Sequence, residues 1–239
     1  MQVELEKTVV QLIEKVERRF YGKYRGFVVD NADPEKLGRL KVTVPSVLGL
    51  EVVTGWASPC TPYGGDVNQG FLFIPENESG VWIEFEEGDL EFPIWVGSFW
   101  SKPDGNSEIP KPNGADGVEE GEVQNPVTRK TIKTLKGHCI QLEDKDGEEM
   151  ITIVQVSSDT QRNVITMNAD GVTILQVIDD ENSNKVEMTA SGIKLTDFTD
   201  NSIDMSDSAF TITSKVALTI DASGQALEIK AKTVDYKES

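Results

Sequence analysis

Proline stops at Pro126 and tryptophan at Trp100, although the chain continues to Ser239. Beyond Pro126 the only aromatic residues are Phe198, Phe210 and Tyr236, so no core built on large rings is available there. Basic side chains are scarce. Lys and Arg number 23 against 41 Asp and Glu, a formal net charge of −18 and a pI near 4.4. A chain this acidic is self-repelling and a poor non-specific partner for nucleic acid or an anionic membrane. His138 is the single histidine, and no Ser or Cys partner pattern surrounds it, so it is read as structural rather than catalytic. Cys60 and Cys139 stand far apart and fit a reducing compartment as two unrelated core thiols. No apolar run reaches transmembrane length. Met1-Gln-Val-Glu-Leu-Glu-Lys7 lacks a basic region followed by an apolar one, so no signal peptide is expected.

What is present begins with a helical pattern. Leu5, Val9, Leu12 and Val16 recur at heptad-like spacing between Met1 and Phe20, widened by Val10, Ile13 and Phe20. About two heptads do not form a free-standing coiled coil. The helix either packs on the chain's own next domain or meets copies of itself or a neighbouring protein. Leu5, Val9, Leu12, Val16 and Phe20 are the candidate contact residues.

From Tyr24 to Phe99 the chain consists of short β-rich runs separated by Gly, Pro, Asn and Asp. These include Tyr24–Asp30, Arg39–Pro45, Val52–Ala57, Gly70–Pro75, Gly80–Asp89 and Pro93–Phe99, the pattern of a small all-β barrel. All four tryptophans, Trp56, Trp82, Trp95 and Trp100, lie in or just beyond it. Alternation with Val81, Ile83 and Phe85 makes Glu84 and Glu86 a solvated strand face rather than an acid/base pair. The loop from Ser58 to Gly70 faces solvent or a neighbour and gathers no ligand-type residues. Phosphate-cradling glycine loops and nucleophile elbows are not recognisable.

Composition shifts at Ser101 to Pro, Gly, Asn, Ser and Glu, an extended connector to Asn125. Past Pro126, Val, Ile, Leu and Thr alternate on a period of two, which means strands with one buried face. Asp144-Lys-Asp-Gly-Glu-Glu149 lacks the full calcium-loop spacing and reads as a hairpin turn. An internal repeat is also present: Val164-Ile-Thr-Met-Asn-Ala-Asp-Gly-Val-Thr-Ile174 aligns with Lys185–Leu195 and, more weakly, with Ala217–Leu227. Each copy is strand, Ala-(Asp/Ser)-Gly turn, strand. Short aliphatic side chains cannot close a deep core within one copy, and the strands would leave open edges and an apolar face. Stacked repeats in a monomeric solenoid or sandwich are one solution. Several identical chains around a common axis are the other, and it is favoured.

The phrases Gly26-Phe-Val-Val-Asp-Asn-Ala-Asp-Pro-Glu-Lys-Leu-Gly-Arg-Leu-Lys-Val42, Phe73-Ile-Pro-Glu76, Val81-Trp-Ile-Glu-Phe-Glu-Glu-Gly-Asp89 and Pro93-Ile-Trp-Val-Gly97 occur in order. Together they resemble the OB module of central spike proteins in contractile phage baseplates, shared with the valine-glycine-repeat spikes of type VI secretion. Lys130–Glu149 is similar to the opening segment of that family's needle. The resemblance implies an all-β protein: a short N-terminal helix (1–22), an OB-fold barrel (23–100), an extended linker (101–126) and an intertwined trimeric β-helix or β-prism (127–239). It implies a structural, non-enzymatic homotrimer, without cofactor or metal, in a virion tail baseplate or equivalent injection particle assembled in the bacterial cytoplasm. Its needle would pierce the target envelope with transient membrane contact. Partners implied are a separate trimeric hub protein at the N-terminal end and a small tip protein of the proline-alanine-alanine-arginine type. The tip protein would meet Tyr236, Lys237, Glu238 and Ser239. The family's inserted lysozyme has no room in the short connector, and its His-x-His iron site and strict valine-glycine octapeptide are missing from this sequence. The alternative function is an OB module binding a glycan or single-stranded nucleic acid, for which the acidic balance is unfavourable.

Overall fold

A computed structural model describes Lys7, Val9 and residues 19–237. The chain divides into two units between Ile109 and Pro110.

In the first unit, β1 (Tyr24–Asp30), β2 (Lys41–Thr43), β3 (Ser58–Pro59), β4 (Gly80–Phe85) and β5 (Pro93–Ser98) form one sheet in the order β2-β1-β4-β5-β3. Bridges Leu40–Ala57 and Thr43–Val53 bring the chain around β3 back beside β2, so the sheet closes on itself. A short helix, α1 (Pro45–Leu48), opens on proline, whose fixed φ suits the first helical turn. The strands form because their alternate residues fill the barrel. Val81, Ile83 and Phe85 on β4 point inward and join Val28, Leu40, Val42, Val44, Ala57 and Trp95. Three loop contacts lock the closure. The Trp95 indole donates to the Gly38 carbonyl at 3.0 Å, Asn31 donates to the Pro75 carbonyl at 3.0 Å, and Asp33 organises the β1–β2 loop. That carboxylate accepts from the backbone N–H groups of Glu35, Leu37 and Arg39 and from the Arg39 guanidinium at 2.7 Å. The Arg39 hydrogen bonds hold Asp33 well below the usual carboxylate range. Asp33→Ala is therefore expected to lower the barrel's urea midpoint far more than Glu35→Ala does.

The second unit is a single antiparallel meander of nine strands, β6 to β14, each beside its sequence neighbours. They are β6 (Arg129–Lys133), β7 (Cys139–Glu143), β8 (Met150–Val156), β9 (Arg162–Asn168), β10 (Gly171–Val177), β11 (Ser183–Thr189), β12 (Gly192–Thr196), β13 (Ser202–Ser206) and β14 (Phe210–Thr213). Tight turns join β9 to β10 and β11 to β12, where Gly171 and Gly192 have φ of +138° and +144°. Longer turns at the other end are closed by carboxylates: Asp179 accepts from Glu181 and Asn182, and Asp197 from Thr199 and Asn201. Asp144–Glu149 is the β7–β8 turn.

Three expectations need correction. Residues 112–124 are not a free connector, because they are hydrogen-bonded across the first four strands of the second sheet. Asn113 pairs with Gln141, the Ala115 carbonyl accepts from Thr166 at 2.8 Å, and the Asp116 carbonyl accepts from Arg162 at 2.7 Å. Composition did not reveal this, since the strap is held by backbone carbonyls rather than by apolar side chains. The third repeat, Ala217–Leu227, makes its turn (Gln225 N–H to the Ala222 carbonyl, 2.9 Å) but pairs neither arm into the sheet. Cys60 is exposed rather than in a core, and Cys139 is buried; both are free thiols. Burial pushes the Cys139 thiol up, against the opposing charge of Lys133.

Candidate assembly surface

The pairing register of the meander sorts its side chains by row. One row, read across the sheet from β6 to β14, is Ile132, Ile140, Ile153, Ile165, Ile174, Val186, Leu195, Ile203 and Ile212. Two residues along the strands, the next row is Lys130, Leu142, Ile151, Met167, Val172, Met188, Ile193, Met205 and Phe210. Both rows point to the same side, since residues two apart share a face. The opposite face carries Thr131, Gln141, Thr152, Thr166, Thr173, Glu187, Lys194, Asp204 and Thr211 in register.

The strap over residues 112–124 covers the opposite face, burying Cys139, Val154 and Val164 together with Gln141, Thr152 and Thr166, while Ile140, Ile153 and Ile165 are exposed. The strap's polar groups make that burial tolerable. Glu143 accepts from Arg129 and Gln124, each at 2.6 Å, and Arg129 donates to Glu120 at 2.8 Å. Burial, the largest single influence on the Glu143 carboxyl, raises its pKa. Hydrogen bonding with Thr128, Gln124, Arg129 and the Lys145 N–H outweighs it and brings the pKa down to about 2. The Asp197 carboxyl, bonded by Asn201 and Thr199, is also drawn down to about 2. Both groups have folded values below their unfolded ones. Their stabilisation is therefore complete above the ordinary carboxylate range near pH 4.5 and is lost as pH falls toward 2. A urea midpoint flat from pH 7 to 5 and falling below pH 4.5, with Glu143→Gln flattening the fall, is the expected result.

Two buried atoms here have no hydrogen-bond partner among the described residues: Asn113 Oδ1 on the strap and the Thr152 hydroxyl beneath it. Thr152→Val keeps the shape and removes the orphaned hydroxyl. It is expected to raise stability by about 1 kcal/mol in urea denaturation.

Nine strands about 4.8 Å apart make an aliphatic strip roughly 40 Å long, and two rows make it roughly 14 Å wide. Its footprint of roughly 550 Å² lies at the upper end of what monomers leave exposed. Near β14 the strip becomes a groove of about 670 Å³, with Val186, Leu195 and Ile203 on one side and Val216 and Leu218 on the other.

The barrel carries a smaller apolar surface on the loop after β3. Tyr63 stacks on Phe71 at 5.8 Å and Phe71 on Phe73 at 6.3 Å, all three exposed. Among the candidate contact residues, Leu5, Leu12, Val16, Glu238 and Ser239 lie outside the described residues. Val9 is helical and exposed. Phe20 is a barrel residue rather than part of a free stripe. It packs edge-to-face on Tyr24 and Phe85, and its N–H donates to the Gly88 carbonyl at 2.8 Å. Tyr236 and Lys237 are exposed and in no strand. His138 accepts the Val156 N–H at Nδ1 (3.1 Å), a structural role. The aliphatic row itself was missed residue by residue. Period two gives two faces to every strand, and only the register identifies which residues line up.

The family model for the type VI secretion system/phage-baseplate injector OB domain matches residues 24–100. These residues coincide with the closed barrel, and the phrases that define them supply its locking contacts: Asn31 to Pro75, Asp33 to Arg39, Trp95 to Gly38. No curated protein matches the chain. By this match, residues 24–100 are a type VI secretion system/phage-baseplate injector OB domain.

Proposed function

We propose that this chain is the central spike of a contractile tail or related injection machine, a homotrimer whose second unit forms the envelope-piercing needle. The observation that carries the reading is the nine-residue aliphatic row, continuous on one sheet face from β6 to β14 and exposed at every position but the half-buried Val186. Three such faces turned toward a common axis bury all three strips at once. Closed rotational symmetry leaves no strip exposed. The opposite Thr, Lys and Asp face suits the outside of such a prism. Axial load on it would have to break many ladder hydrogen bonds together, which is the mechanical property a needle requires. The absence of proline after Pro126 serves the same end, since every strand residue there can donate to a ladder.

A separate trimeric hub would meet the N-terminal segment and the barrel's aromatic loop, and a small tip protein of the proline-alanine-alanine-arginine type would cap the C-terminal end. Residence in the tail baseplate follows from the injector family of the barrel. On this reading the chain is not an enzyme, and peptidoglycan zymograms are expected to stay uncleared. Electron microscopy of the purified chain is expected to show three-fold rods; dispersed single-chain particles would contradict the spike.

The second reading is a ligand-binding OB module, favoured by one observation. Arg25 lies over Trp82 at 5.6 Å and over Phe99 at 5.2 Å, a stacking platform on the barrel's outer face. With 41 acidic residues against 23 basic ones, it predicts at most weak, salt-sensitive binding to single-stranded DNA.

A further inference from the structure

The strap carries the chain's one Asn-Gly pair, Asn113-Gly114. In such a pair the side-chain amide is least hindered from the next backbone nitrogen, because glycine has no Cβ. Every group this chemistry needs is occupied while the strap is closed. Asn113 is 3% exposed and lies in an antiparallel bridge with Glu119. Its Nδ2 donates to the Gly117 carbonyl at 2.7 Å and its N–H to Gln141 Oε1 at 3.0 Å. Its backbone carbonyl accepts from Gln141 and from Arg129. The Gly114 N–H, which would be the attacking nitrogen, donates to the Val118 carbonyl at 2.8 Å. Asn113 Oδ1, where negative charge would develop, is buried without a donor among the described residues to hold it.

We propose that Asn113-Gly114 is a deamidation site gated by the strap, and that its modification makes strap opening permanent. Once the strap lifts, the Gly114 nitrogen adds to the Asn113 side-chain carbonyl carbon. The new N–C bond closes a succinimide ring as the bond to Nδ2 breaks, and the Gly114 proton leaves with that nitrogen as ammonia. Water then opens the ring to aspartate, or to isoaspartate with one extra atom in the backbone; no oxidant or reductant takes part. Neither product fits the closed strap. A carboxylate sets an acceptor against the Gly117 carbonyl where Nδ2 had donated, and it brings a charge into a buried place. Arg129 is already shared between Glu120 and Glu143. Isoaspartate moves the N–H and carbonyl of residue 113 apart and breaks their two-bond match to Gln141. The strap is also a cover. Gly117 rests on Val154 and Val164, so closely that an added Cβ would lie 3.2 and 2.6 Å from them. Lifting it uncovers both valines and Cys139, which shares their cluster.

The test uses the full chain in mildly alkaline buffer, with peptide mass mapping to read a gain of one mass unit at Asn113 and a thiol reagent to read Cys139. In concentrated urea, Asn113 is expected to convert before any other asparagine. In the folded chain it should convert at least about a hundredfold more slowly, since opening breaks several hydrogen bonds at once. Thr166→Val, which removes the donor to the Ala115 carbonyl, should speed conversion in the folded chain about fivefold. Gly114→Ala should slow conversion in urea and leave the strap closed, because the added Cβ comes nearest only to the side-chain oxygens of Asp116 and Glu120. The unmodified chain offers one fast thiol, the exposed Cys60; the converted chain should offer two. Another asparagine converting first in urea would overturn the site. Equal rates in urea and in the folded chain would overturn the gate, and a converted chain with one fast thiol would overturn the permanence.

Discussion

Ile165→Lys is expected to break the assembly into single chains without unfolding them. Ile165 sits at the fourth position of the aliphatic row and is 36% exposed in the isolated chain. Within one copy the lysine stem lies along its neighbours and the ammonium reaches water, so the cost to the chain is about 0.5 kcal/mol or less. In the trimer three ammonium groups converge on the axis with only Ile153 and Ile174 beside each in its row. An unpaired buried charge costs several kcal/mol, and rotational symmetry imposes that cost on every copy. Dissociation constants should therefore rise by at least about a hundredfold per copy. Sedimentation at micromolar concentration would register the change as a drop to monomer mass, with the barrel's fluorescence unaltered. Thr173→Lys, in the polar row of β10, is the matched control and should leave the mass unchanged. Equal dissociation by both would remove the aliphatic face from the account.

The second large effect is expected at the repeat's glycines. A Cβ added to Gly171 would lie 2.0 Å from the Met188 carbonyl oxygen, and one added to Gly192 would lie 2.0 Å from that of Met205. Both have φ in the region L side chains rarely adopt. Backbone cannot yield by that distance without breaking the β10–β11 or β12–β13 ladder, so Gly171→Ala and Gly192→Ala should each cost about 3 kcal/mol or more. Hydrogen exchange would show the loss as deprotection of the affected hairpin and its neighbour. Gly224 ends the turn of the third repeat copy. It also has positive φ, but nothing lies within 4 Å of its added Cβ, so Gly224→Ala should cost markedly less. The contrast separates a closely packed turn from one whose arms are unpaired.

These two sites also mark how far the sequence could be read. Barrel closure was legible because its signals are local. Inward Val81, Ile83 and Phe85 alternate with outward Trp82 and Glu84, and turn residues flank every run. Strand content after Pro126 was legible for the same reason, and the Ala-(Asp/Ser)-Gly repeat marked two of the hairpins correctly. Pairing across strands was not legible. Whether Ile140 or Gln141 faces the strap depends on residues 112–124 reaching back over β7 through backbone carbonyls, and backbone bonds leave no trace in composition. The Asp33–Arg39 pair was hidden similarly: six residues apart in a loop, its geometry follows from the barrel rather than from any local period. Ala217–Leu227 fails for a different reason. Its alternation is genuine, but Val216, Leu218 and Ile220 remain exposed in a single chain, as strand pattern without a strand partner does.

The native mass of the purified chain, followed on dilution to nanomolar concentration, tests the central claim most directly. The account predicts one species at three times 26.3 kDa, that is 78.9 kDa, persisting throughout because every copy buries its aliphatic strip only in company. A stable, cooperatively folding species at 26.3 kDa would contradict it.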